Sequence, residues 1–83
     1  MDAKRELLRR IVVDPKVLVG KPVIRGTRLS VQYILGLLAS GASEDEILSE
    51  YDGLSKDDIQ ACLLFAAEAL EGCSFVPLNA EPA

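Results

Sequence analysis

The apolar positions change period about a third of the way along the chain. Before residue 30 they come as short β-branched runs: Ile11, Val12 and Val13, then Val17, Leu18 and Val19, then Val23 and Ile24. The runs are halted in turn by Asp14-Pro15, by Gly20-Lys21-Pro22 and by Gly26. Such runs read as small strands or extended segments. Pro15 and Pro22 hold the residue before each of them extended. Residues 3–10 have room for a helical turn, which a terminal position leaves prone to fraying.

From Ser30 onward the period is helical. Val31, Ile34, Leu35 and Leu38 follow Ser30 at the i, i+3, i+4, i+7 spacing of an amphipathic helix, with Ser30 as N-cap and Gly41 just past the end. Ser43-Glu44-Asp45-Glu46 has the form of a capping box, with acids in the first turn where the helix dipole favours them. Ile47 and Leu48 give that second helix its apolar contacts, and Asp52-Gly53 stops it. Ser55-Lys56-Asp57-Asp58 opens a third helix, whose stripe reads Ile59, Cys62, Leu63, Ala66 and Leu70 before Gly72. The expected lengths are about 10, 8 and 16 residues. A short turn containing Gly53 between the second and third helices is the order of a helix-turn-helix. The fold expected is therefore mainly α: a three-helix, helix-turn-helix domain over residues 11–72, preceded by a short β element. A basic segment over residues 1–10 and a proline-containing tail over residues 73–83, where Phe75 and Val76 are candidates to dock, flank it.

Composition narrows the function classes. The chain has 83 residues and four aromatic side chains, so Leu, Ile, Val and Ala supply nearly all the core. A domain of this size buries roughly 60–65% of its unfolded surface and gains from a partner. No apolar run reaches the length of a membrane span, and the charged N-terminus lacks the apolar centre of a signal peptide, so a cytoplasmic location is expected. There Cys62 and Cys73 stay reduced. The chain has no histidine, which removes Ser-His-Asp and Cys-His arrangements. Gly20-Lys21 is followed by Pro22, not Ser or Thr, and Pro15 stands where the leading glycine of a phosphate-binding loop belongs. The acids of Glu44, Asp45, Glu46, Asp57 and Asp58 sit at helix starts, where capping accounts for them without a metal. No enzyme, metal or cofactor is expected.

The net charge of −4 conceals a division. Residues 1–28 hold eight cations and three acids, a net of +5, whereas residues 29–83 hold one cation and ten acids, a net of −9. One basic and one acidic face follow.

The pattern as a whole resembles the bacterial family once called domain of unknown function 433 and now usually described as antitoxins. The likeness covers about residues 11–70. It runs through Asp14-Pro15, Gly20-Lys21-Pro22, Gly26-Thr27-Arg28, Leu29-Ser30-Val31, Gly41 with its capped acidic helix, Tyr51, and Asp58-Ile59. Asp52 departs from it, since the family commonly has proline after that tyrosine. The resemblance implies a homeodomain-like domain that binds and silences a neighbouring toxin similar to a PIN-domain ribonuclease, with the pair acting on its own promoter. Toxins of that class gather acids around a metal ion. An inhibitor meets them with arginine, whose planar fork pairs bidentately with carboxylate. The candidates are Arg25 and Arg28, or one of Arg5, Arg9 and Arg10. Tyr33, Leu37 and Phe65 are candidates for an apolar contact with the toxin or with a second copy, because the first long helix has a wider apolar face than one small core needs. The DNA contacts expected are Lys4, Arg5, Arg9, Arg10, Lys21 and Lys56, for the start of the last helix carries two aspartates facing phosphate. Gly20, Pro22, Gly26, Gly41 and Gly53 are read as turn residues. Two other readings stay open: a stand-alone DNA-binding regulator, and a small oligomeric adaptor.

Overall fold

A computed structural model describes residues 3–72; Cys73, Phe75, Val76 and the rest of the tail lie outside the described residues. The order is α1 (Ala3–Leu8), β1 (Ile11–Val13), β2 (Pro22–Ile24), α2 (Val31–Ala39), α3 (Glu44–Glu50) and α4 (Lys56–Glu71). The fold is mainly helical with one small antiparallel sheet. In that sheet Ile11 faces Ile24, Val12 faces Val23 and Val13 faces Pro22. Proline is tolerated there because it opens the strand.

Each long helix starts where its cap residue stands. The Ser30 hydroxyl accepts from the Tyr33 amide at 2.9 Å. Ser43 and Glu46 exchange both bonds of a capping box, as do Ser55 and Asp58. These bonds satisfy amides that the first turn of a helix leaves without partners. The observed lengths of α2, α3 and α4 are 9, 7 and 16 residues.

The core gathers Ile24 from the sheet, Val31 and Ile34 from α2, Ile47 from α3, and Ile59 and Cys62 from α4. Each fully buried aliphatic chain contributes roughly 1.5–3 kcal/mol, so the isoleucines carry most of the apolar stabilisation. Leu35, Leu38, Leu48, Leu54 and Phe65 pack around them, half-buried.

Two expectations need correction. Val17 is extended, but Leu18 and Val19 are not. The antiparallel sheet obliges the chain to reverse between Val13 and Pro22, and it does so through successive tight turns. The Asp14 carboxylate accepts from the Lys16 amide at 2.9 Å, the Val17 amide donates to Asp14, and the Gly20 and Lys21 amides donate to Val17 and Leu18 across a left-handed turn. The demands of closure outweigh the β preference of the valines. The α4 stripe is also rotated from the one expected. Asp58, Ile59, Ala61 and Cys62 face inward, whereas Leu63 and Leu70 are 46% and 65% exposed. The rotation follows from Asp58, which is drawn inward by two partners described below.

Cys62 is buried and unpaired. Burial, with Asp58 nearby, pushes its thiol up to about 11. The unfolded chain therefore loses this proton first as pH rises. It binds fewer protons than the folded chain between about 9 and 11, so stability falls across that window as pH rises. At pH 8, iodoacetamide labelling of Cys62 is expected to be at least tenfold slower in the native protein than in urea. Equal rates would place the thiol at the surface.

Candidate protein-binding surface

Residues 11–30, which hold four of the nine cations, fold as two consecutive hairpins. After β2 the chain turns through Arg25, Gly26, Thr27 and Arg28 and comes back beside itself. The Ile24 amide donates to the Leu29 carbonyl at 3.0 Å, and Val23 bridges to Ser30. Thr27 locks the turn: its hydroxyl donates to the Ile24 carbonyl at 2.8 Å and accepts from the Leu29 amide at 3.0 Å. Gly26 stands at φ 81°, left-handed backbone that a Cβ would strain. The Arg25 amide donates to the Arg10 carbonyl at 2.7 Å. The backbone under both arginines is thus fixed, while their side chains are exposed.

The cations do not form one patch. Among the described residues, Arg5, Arg9, Lys21, Arg25, Arg28 and Lys56 form no salt bridge. Arg10 is different. One guanidinium nitrogen donates to the Asp58 carboxylate at 3.1 Å, and another lies 3.5 Å from Asp57. Arg10 therefore serves the fold, with its side chain 42% exposed. Arg9 and Arg25 lie near it, around a hollow that also includes Glu6, Gly53 and Asp58. Arg28 and Lys21 lie around a second hollow, with Leu18, Val19, Leu29 and Tyr33. Lys56 stands apart, at the start of α4. Lys4 is on α1.

Pro22 opens β2, and Gly20, Gly41 and Gly53 have left-handed φ of 78°, 103° and 91°. The structure adds residues that local pattern does not reveal. Leu18 and Val19 have φ of 49° and 55°. For a β-branched residue this is a strained conformation, costing on the order of 1–3 kcal/mol. Val19 is also 91% exposed. No local signal marks it, because nothing in a valine announces left-handed backbone.

Tyr33 is exposed, and its ring meets that of Tyr51 edge-on, 6.1 Å between centroids at 85°. The two hydroxyls are 2.6 Å apart. That bond, with burial second, holds the Tyr51 phenol above its ordinary value. Leu37 is half-buried, packed against the core, and borders two hollows on the outer side of α2. Phe65 is also half-buried against the core. It lies on another side of the domain, beside Leu8, Ile11 and Val13. Arg28 and Tyr33 thus border one hollow, whereas Arg25, at the other end of the same turn, and Phe65 border others.

At the start of α4, which reads bases in a helix-turn-helix, Asp58 is buried, whereas Lys56, Asp57 and Gln60 are exposed. Asp58 is spent on Ser55 and Arg10, and α1 packs against α4. Among the described residues no group of three metal-ligating side chains gathers, and no helix is long and apolar enough to cross a membrane.

Comparison with known proteins agrees with this architecture. An uncharacterised protein of Archaeoglobus fulgidus is 67% identical over 24 residues, which is 29% of this chain and 67% of that one. The crystal structure of a DUF433 member from Anabaena variabilis superposes with a TM-score of 0.70 at 30% identity. It covers 77% of this chain, and the chain spans 63% of that protein's length. Residues 11–66 match the model of the family described as "Protein of unknown function (DUF433)". The chain belongs to the DUF433 family.

Proposed function

We propose that this protein is an antitoxin: a non-catalytic module that binds and silences a PIN-like ribonuclease encoded beside it, in the cytoplasm and without a cofactor of its own. The observation that carries the reading is the locked turn over residues 25–28. Its backbone is held by five hydrogen bonds within and across it, while Arg25 and Arg28 at its two ends are exposed and form no salt bridge among the described residues. A fixed backbone lowers the ordering cost that flexible cations would incur on binding. Two unpaired guanidinium groups match a partner whose active centre is a ring of carboxylates.

Operator binding is a role of the pair more than of the chain alone. Asp57 and Asp58 stand at the start of α4, and phosphate neutralisation supplies most of the affinity for DNA. The basic charge available is in the N-terminal third, on α1, the segment after it and the hairpins, so DNA contacts fall there, and two or more copies are needed to add them up.

Co-expression tests the proposal. The neighbouring open reading frame, induced alone, is expected to arrest growth, and induction of both genes to restore it. A harmless neighbour, or one that this chain does not rescue, removes the antitoxin reading.

A further inference from the structure

One face of the domain is unpartnered and carries opposite charge at its two ends. It runs along the outer side of α2. The hollow beside Leu18, Val19 and Lys21 shares Lys21, Ser30 and Tyr33 with a second hollow over the middle of α2. That second hollow shares Leu37 with a third, bordered by Ala42, Glu46, Glu50 and Tyr51. The Tyr33–Tyr51 bond joins the ends. The face thus passes from basic, at Lys21, through apolar and small residues, to acidic, at Glu46 and Glu50.

Its centre is Gly36. This glycine sits inside α2, where it costs about 1 kcal/mol relative to alanine. Nothing lies within 4 Å of the position a Cβ would take. Packing within the chain therefore does not require glycine there. Close approach of another backbone does.

We propose that this face takes a second copy of the chain, with the two α2 helices antiparallel across a two-fold axis near Gly36. A two-fold contact must be self-complementary: whatever one copy offers at one end, the other must answer at the opposite end. Here the Lys21 end of each copy meets the Glu46 and Glu50 end of the other, twice. The same contact covers Val19, whose exposed side chain and strained backbone the isolated domain leaves without a purpose. Charge complementarity selects the second copy as occupant, because a face with one sign of charge would repel itself. The contact leaves Arg25 and the Arg9 side of the molecule open to the toxin, while Arg28 borders its basic end.

The test is a charge swap read by sedimentation equilibrium of the full-length protein. The wild type is expected to dimerise in the micromolar range at low salt, and more weakly at 0.5 M salt. Lys21→Glu alone and Glu50→Lys alone each place like charges at both contacts, and each is expected to weaken dimerisation at least tenfold. The double variant Lys21→Glu/Glu50→Lys restores opposite charges and is expected to recover most of the loss. Gly36→Leu is expected to be monomeric while its circular dichroism stays helical. Both charged side chains are exposed and form no salt bridge among the described residues, so these variants leave the fold intact. A monomer at 100 µM overturns the proposal. So does a dimer indifferent to the single variants, or one that the double variant fails to restore. Growth rescue by Glu50→Lys and Gly36→Leu reports on the antitoxin reading separately, since these residues border hollows that neither Arg25 nor Arg28 lines.

Discussion

Asp58→Ala is expected to lower the stability of the domain by about 2–4 kcal/mol. The residue does two things at once. Its carboxylate accepts from the Ser55 amide at 3.0 Å and from the Ser55 hydroxyl at 3.2 Å, completing the cap of α4. It accepts from Arg10 at 3.1 Å, pinning the segment between α1 and β1 to the start of α4. It does this with its side chain only 10% exposed. A lost cap costs about 1 kcal/mol. Losing a buried, charge-assisted acceptor adds about 1.5–3 kcal/mol, partly because Arg10 loses its partner. A domain of this size has a total stability of several kcal/mol, and 1 kcal/mol moves its melting temperature by about 4–8 °C. A fall of 10 °C or more is therefore expected in a thermal melt. Asp57→Ala is the control. Its side chain is 62% exposed and its distance to Arg10 is 3.5 Å; such surface pairs contribute about 0–1 kcal/mol. Equal melting temperatures for the two variants would show that burial at Asp58 contributes nothing.

The second large effect is on binding. Arg25→Glu and Arg28→Glu are each expected to weaken toxin neutralisation by on the order of 100-fold, the scale for reversing a charge that meets an opposite charge across an interface. Combined, the two are expected to abolish growth rescue. Neither side chain is engaged in a salt bridge among the described residues, so the melting temperature is expected to move little. Lys56→Glu is a matched change of charge on a different part of the molecule and is expected to preserve rescue. Growth rescue by the Arg25→Glu/Arg28→Glu protein would place the toxin contact elsewhere.

The parts of this molecule that the sequence exposes are those governed by near neighbours. Ser30, Ser43 and Ser55 announce their helices because a cap bond spans three residues. The turn over residues 25–28 is similarly local. What stays hidden depends on distant pairing or on closure. Arg10 and Asp58 are 48 positions apart, so nothing in either neighbourhood marks Arg10 as a structural residue. Their bond also helps set the rotation of α4, which is why Leu63 and Leu70 face outward although their spacing fits a core stripe. At residues 17–19 the β-branched composition pointed one way, and the geometry of a sheet that must turn back on itself pointed the other. The continuous face along α2 is legible only once β2, α2 and α3 are in place, because its two charged ends come from different segments. The wide apolar set of α2 was visible in the sequence as surplus grease, with Tyr33 and Leu37 named for a partner; Tyr33 is exposed and Leu37 half-buried.

The most direct measurement of the central claim is a calorimetric titration of the wild-type chain against the purified protein encoded beside it, at low and at 0.5 M salt. Tight binding that weakens as salt rises, and that vanishes with Arg25→Glu/Arg28→Glu, is the result predicted. No heat of binding at either salt concentration, or an affinity unchanged by removing both arginines, would contradict it.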